Sequence, residues 1–256
     1  MNIEPIHSKD GKTYWIESGD TLYAERLRHG QYQKTNWQFA QTLFSQTRTA
    51  VDVGSNNAVN AIHYAQVFAR VECFEPTQLA QQLWHSTVKD NGVENATLHT
   101  QALGEDTRVT DIILHERNGG HNHLAHYDKN PRARGTQKHK QRVSQTTLDS
   151  YGFDEVDFVK IDVEGYELFV LQGALQTIQQ NRPVLQLEIV DSQCRKFNYS
   201  RSDIADVFDT LDYRCVSKTR GWIDLHEHSD TRNEMDLFFV PRERQLRLAP
   251  KLELFE

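Results

Sequence analysis

The chain has 256 residues, 38% of them hydrophobic and 25% charged, with a formal net charge of −7. That is long and apolar enough for a full α/β core. Its acidity argues against a nucleic-acid binder working through a wholly basic surface, and no apolar run approaches the roughly 20 residues of a membrane span. The amino-terminal MNIEPIHSKDGK lacks the apolar stretch of a secretory signal, so a cytoplasmic location is expected. Cys73, Cys194 and Cys215 are odd in number, far apart and without CxxC spacing, which reads as reduced core thiols rather than a disulfide or zinc framework.

Residues 1–49 form an N-terminal region packed on the core, with a short strand at Thr13 to Ile16 and helical stretches through Thr21 to His29 and Asn36 to Phe44. Trp15, Tyr23, Tyr32 and Trp37 read there as packing residues. The following domain, 50–241, opens on a βαβ unit. Thr49 to Val53 is a buried strand closing on Gly54, Ala58 to Phe68 has helical patterning, and Val71 to Glu75 is a second strand stopped by Pro76. A third unit has a helix from Thr77 to Asp90 and a strand from Ala96 to Ala102, with a further strand at Val109 to His115.

From Gly119 to Arg142 the basic residues are Lys129, Arg132, Arg134, Lys138, Lys140 and Arg142 against the single acid Asp128. This segment therefore carries +5 and leaves −12 for the remainder. Such an insertion is too long for a plain connection, and it reads as a basic substrate lid. His121, His123 and His126 lack a helix or strand to fix them as a metal site and belong to that lid, where His121 or His123 could act as general base. Val143 to Leu148 then leads to Val156–Glu167, an apolar strand that ends in carboxylates and a glycine, with a helix beyond it. Val184 to Val190 is the next strand. Tyr213 to Lys218 and Met235 to Val240 follow as an antiparallel edge hairpin, and 242–256 is a charged tail, read as a surface or oligomer contact.

In open α/β sheets ligands sit outside the carboxyl ends of the strands. Gly54 lets a ligand approach the backbone there, a helix amino terminus near Asn57 can hold a carboxylate, and Glu75, 21 positions after Gly54, can accept hydrogen bonds from ribose hydroxyls. Gln101 and Ala102 could meet an adenine ring. A single glycine in place of GxGxxG disfavours a dinucleotide. S-adenosylmethionine, with a ribose and an amino-acid carboxylate but no phosphate, suits the loop. Asp162 and Glu164 either present carboxylates to that ligand or merely cap the helix beyond Gly165.

With AVDVGSNNA, VECFEP, Thr147-Leu148-Asp149, VDFVKIDVEGYELFVLQGA and NEMDLFFVP in view, the chain resembles the FkbM family of S-adenosylmethionine-dependent methyltransferases from about Val51 to Pro241. The resemblance implies a Rossmann-like class I methyltransferase fold, a mostly parallel seven-stranded sheet with helices on both faces and one reversed edge strand, and O-methyl transfer, often to sugars or natural products. It places Asp52, Gly54 and Asn56 on the methionine side of the cofactor pocket, makes Glu75 the ribose partner and sets Asp162 beside the transferred methyl. The family's usual second glycine in the nucleotide loop is replaced by Asn57-Ala58.

Asp162 is then the first candidate base, with Glu164 behind it. Glu188, ending the next strand, could instead join Asp162 in holding Mg²⁺, as in related O-methyltransferases, although no metal is expected. Arg132, Arg134, Lys138 and Lys140 are the substrate-binding candidates, for a sugar, glycan or related small polar acceptor, anionic if the insertion's charge selects it. An RNA-modifying methyltransferase and an inactive binding scaffold are the alternatives, and a homo-oligomer is open.

Overall fold

The computed structural model describes residues 2–30, 32–114, 122–124, 139–227 and 235–244. The N-terminal region begins with a hairpin of β1 (Ile3–His7) and β2 (Thr13–Glu17), paired antiparallel. Its alternation turns Ile6, Tyr14 and Ile16 inward. Two helices follow, α1 (Thr21–Arg28) and α2 (Lys34–Leu43). Asp20 caps α1 by accepting the Tyr23 amide at 3.1 Å, and Arg26 and Arg28 in its last turn suit the negative end of the helix dipole.

The parallel units come next: β3 (Thr49–Val53), α3 (Val59–Tyr64), β4 (Arg70–Phe74), α4 (Gln78–Asp90) and β5 (Ala96–His99). The chain leaves the main sheet at His99, earlier than the expected Ala96–Ala102 strand. Ala102 and Leu103 instead form β6 of a second sheet with β7 (Arg108–Leu114), β8 (His123–Leu124) and β9 (His139–Thr146), in the order β6-β9-β7-β8. The end of the basic segment is thus a strand, with Lys140 opposite Ile113 and Arg142 opposite Asp111.

The remaining elements are β10 (Val156–Ile161), α5 (Glu167–Gln172), α6 (Leu175–Asn181), β11 (Val184–Glu188), α7 (Asp191–Lys196), α8 (Arg201–Thr210), β12 (Tyr213–Ser217), β13 (Gly221–Ile223) and β14 (Asp236–Pro241). The helix expected beyond Gly165 is split at Gly173, where a Cβ would lie 2.0 Å from the Gly104 carbonyl oxygen, so the close approach requires glycine. Asp149 caps the second piece, accepting the amides of Gln176 at 3.0 Å and Thr177 at 2.8 Å. The Thr147-Leu148-Asp149 motif therefore anchors α6.

The main sheet runs β13-β12-β14-β11-β10-β3-β4-β5. From β11 to β5 all neighbours are parallel, while β14 is antiparallel to both β11 and β12. This is the expected Rossmann-like sheet, with short β13 added as an eighth strand, and the reversed strand lies inside β12 rather than at the edge. Alternating side chains feed two cores. Ala50, Val71, Phe158, Val184 and Phe238 pack under the N-terminal region, α3 and α4, and Val51, Val159, Leu185 and Phe239 pack under the later helices and the second sheet. Cys73, Cys194 and Cys215 are buried, as expected of core thiols. Among the described residues no helix is long and apolar enough to cross a membrane.

Candidate active site

A cavity of about 350 Å³ opens at the carboxyl ends of β3, β4, β10 and β11. Gly54, Asn56, Glu75, Gln101, Ala102, His123, Asp162, Glu164 and Glu188 all line it, so separate motifs of the sequence converge there. Tyr23, Arg26 and Tyr32 of the N-terminal region form another wall.

On the β3–β4 side, Gly54 has φ +84, and a Cβ there would lie 1.9 Å from the Asp162 carbonyl oxygen. The glycine is required by this close approach of the chain after β10, a reason beyond the expected one of room for a ligand against backbone. The Gly54 and Ser55 amides both donate to the Phe74 carbonyl at 3.0 Å. Ala58, in the neighbourhood of the family's second glycine, has φ +67, the left-handed region that glycine adopts without a Cβ penalty.

Glu75 is 6% exposed and well satisfied. One oxygen accepts from the Thr77 amide at 2.9 Å and its hydroxyl at 2.6 Å; the other accepts from the Asn56 amide at 3.1 Å. Burial raises its pKa and these hydrogen bonds oppose the rise. A carboxylate has about four acceptor positions, so one remains for a ligand on this count. Gln101 is held by the Tyr151 hydroxyl at 3.1 Å.

The β10–β11 side is less balanced. Ligand oxygens of Asp162, Glu164 and Glu188 lie within 4.8 Å of one another. Beneath them Lys160, 1% exposed, donates from Nζ to Asp162 Oδ2 at 2.7 Å. Glu164 has φ +59 and accepts from Gln193 Nε2. Burial, then the charges of Asp162 and Glu167, push the Glu164 carboxyl up to about 8. The Asp162 charge, burial and Asp236 push Glu188 strongly upward. Asp236, opposite Glu188 in the sheet, accepts from Asn36 Nδ2 at 2.6 Å and Gln186 Nε2 at 2.7 Å.

Asp52 is brought to the site's foundations and not to its wall. It is fully buried beside Lys160 in the sheet register, neither carboxylate oxygen has a hydrogen-bond partner among the described residues, and burial lifts it to about 6. His123 lies on β8 opposite Ile113, so a strand fixes it, contrary to expectation. Lys140 is exposed on β9. His121, Arg132, Arg134 and Lys138 lie outside the described residues.

Sequence reasoning passed over Lys160 and the N-terminal wall. Lys160 carried a signal, a lysine inside a strand apolar on both faces. Tyr23 and Tyr32 do pack edge to face at 5.2 Å, but they also line the cavity, which corrects their assignment to packing alone. No local pattern marked them, because the tertiary fold places them there.

A Rossmann-like sheet with an acidic residue after its second strand and carboxylates after its fourth and fifth parallel strands defines a nucleoside-cofactor enzyme scaffold. The methyltransferase FkbM domain model matches residues 52–215, and the chain belongs to that family. Among solved structures it is similar to methyltransferase FkbM from Methylobacillus flagellatus KT, with 18% identity and a TM-score of 0.49 over 86% of this chain; it spans 55% of that chain. It is also similar to the ribosomal protein L11 methylase of Lactobacillus delbrueckii subsp. bulgaricus, at 10% identity and TM-score 0.47, covering 83% of this chain and 79% of that one. A further match is an rRNA methylase from Streptococcus thermophilus, at 12% identity and TM-score 0.44, covering 80% and 92%. No curated protein matches the chain.

Proposed function

We propose that the protein is an S-adenosylmethionine-dependent O-methyltransferase acting on a hydroxyl of a sugar, glycan or related small polar acceptor. The observation that carries the reading is the cavity in which Glu75 and the Gly54–Asn57 loop face the carboxylates of Asp162, Glu164 and Glu188. Its volume of about 350 Å³ lies in the range of small-ligand sites. Glu75 retains acceptor capacity for a ribose hydroxyl, and Gln101 and Ala102 line the same space. Bound there, S-adenosylmethionine supplies a methyl group on an electrophilic sulfonium.

The chain's own residues then orient the acceptor and take its proton. Asp162 is the proposed base, its carboxylate held by Lys160. Glu164, Glu188 and Asp162 also form an all-oxygen donor set that fits a hard divalent cation such as Mg²⁺. Lys160 already supplies a counter-charge to Asp162, which favours the metal-free reading.

The described wall carries Asp20, Glu75, Asp162, Glu164 and Glu188 against Arg26. This acidity suits a cationic donor and an uncharged hydroxyl at the reacting end. By their charge alone, Arg132, Arg134, Lys138 and Lys140 are the proposed partners of an anionic portion of the acceptor. Calorimetric titration with S-adenosylmethionine, followed by a methyl-transfer screen of neutral and anionic glycosides, tests the reading. Absence of donor binding to the wild-type protein would sink it.

A further inference from the structure

The nucleotide loop leaves few backbone donors for the one anionic group of the proposed donor. The amides of Gly54 and Ser55 are taken by the Phe74 carbonyl, that of Ala58 by the Ser55 carbonyl, and that of Asn56 by Glu75. The Asn57 side chain is also occupied, accepting the Tyr23 hydroxyl at 2.8 Å and donating to the Trp15 carbonyl at 3.0 Å. Of the amides from Gly54 to Ala58, only that of Asn57 has no hydrogen-bond partner among the described residues, so the loop is largely braced against the protein. Apart from Arg26, the described wall carries acids and no other lysine or arginine, so no other lysine or arginine side chain there could meet a carboxylate.

Arg26 is the exception. It lies on α1, three residues beyond Tyr23, so both side chains occupy one helix face. Tyr23 fixes that face against the nucleotide loop through Asn57. Leu22, Tyr23 and Arg26 all line the cavity, and Arg26 has no ion-pair or hydrogen-bond partner among the described residues. Its guanidinium is shaped for a carboxylate fork.

We infer that Arg26 binds the amino-acid carboxylate of S-adenosylmethionine, as a cofactor-binding residue supplied by the N-terminal region outside the 52–215 family match. This rests on the proposed S-adenosylmethionine-binding function. The family domain provides the ribose and methyl ends of the pocket, and α1 closes the amino-acid end. The Tyr23–Asn57 hydrogen bond sets the distance between the two parts.

The test compares two ligands by titration calorimetry on the full chain: S-adenosylmethionine, and 5′-methylthioadenosine, which keeps the nucleoside and sulfur but lacks the amino-acid carboxylate. Arg26→Gln is expected to weaken S-adenosylmethionine about tenfold, the low end for a charge-assisted hydrogen bond because the site is open to screening. It should leave 5′-methylthioadenosine within twofold of wild type, and Arg26→Lys should recover part of the loss. Equal binding of S-adenosylmethionine by wild type and Arg26→Gln, or equal loss of both ligands, overturns the assignment. If wild type binds neither ligand, the S-adenosylmethionine reading itself fails. If wild type binds both and Arg26→Gln changes neither, only Arg26 is wrong.

Discussion

The two sides of the cavity satisfy their acids in opposite ways. At the end of β4, Glu75 is buried but accepts three hydrogen bonds from the adjoining chain. At the ends of β10 and β11, Asp162, Glu164 and Glu188 crowd within 4.8 Å, with Lys160 as the buried cation beneath. The first arrangement is a finished hydrogen-bond cradle suited to holding a ligand. The second keeps like charges together at a cost, as sites that move protons do. Under the proposed function, binding and chemistry are divided between two strand pairs, with Gly54 at the seam.

The largest effect is expected at that seam. Gly54→Val would place a side chain on the Asp162 carbonyl in a left-handed backbone, costing about 3 kcal/mol or more. Gly92 is also at positive φ (+63), but a Cβ there would meet nothing within 4 Å, so Gly92→Ala should cost only about 1 to 2 kcal/mol. Denaturant melts of both variants check this, and equal costs would remove the seam argument. On the chemical side, Asp162→Asn should lower turnover about 10² or more while changing donor affinity less. Turnover of wild type should survive EDTA. Loss in EDTA with recovery in Mg²⁺ would assign the three carboxylates to a metal, and full-speed Asp162→Asn would refute both roles. On the binding side, Glu75→Gln should weaken S-adenosylmethionine by about 1.5 to 3 kcal/mol in calorimetry. An affinity within twofold of wild type would break the division of labour.

Much of this division was legible in the sequence. Strand ends recur as apolar runs closed by Gly54, Glu75, Asp162 and Glu188, and a parallel sheet must bring such ends to one edge. The second sheet was not legible, because leaving the main sheet at His99 depends on the pairing of Ala102 and Leu103 with Gln145 and Thr146. The N-terminal wall was hidden for a related reason. Tyr23, Arg26 and Tyr32 sit in ordinary amphipathic surroundings, and it is tertiary packing, β2 on α4 through Trp15 to Thr87 and Asp90 and Tyr23 on Asn57, that turns that region over the cavity. Lys160 could have been read, since a both-face-buried strand accommodates a lysine only beside acids.

The smallest expected effect measures what the crowded side costs the fold. Burial lifts Asp52 to about 6 and Glu167 to about 7, and burial with neighbouring charge lifts Glu164 to about 8. Each folded value exceeds the ordinary carboxyl value, so the folded state holds protons that the unfolded chain has released. Their contribution to stability is fully present below about pH 4 and is lost as pH rises through the folded values. His63, lowered by burial, acts in the opposite direction near its ordinary value but is one group against several. The melting temperature of the unliganded protein should therefore fall between about pH 5 and 8 at fixed ionic strength. Glu167 separates this cost from catalysis: it is buried, accepts from the Val163 and Gly165 amides at 3.2 and 3.1 Å, and meets the Tyr199 hydroxyl at 3.1 Å. Glu167→Gln keeps an acceptor oxygen for those amides and has no proton to lose. It should flatten the fall and recover about 1 to 2 kcal/mol at pH 8. A melting temperature that climbs steadily from pH 5 to 8 in wild type, or a Glu167→Gln curve parallel to it, would show that these acids are satisfied in the fold and that the contrast between the two sides carries no energetic cost.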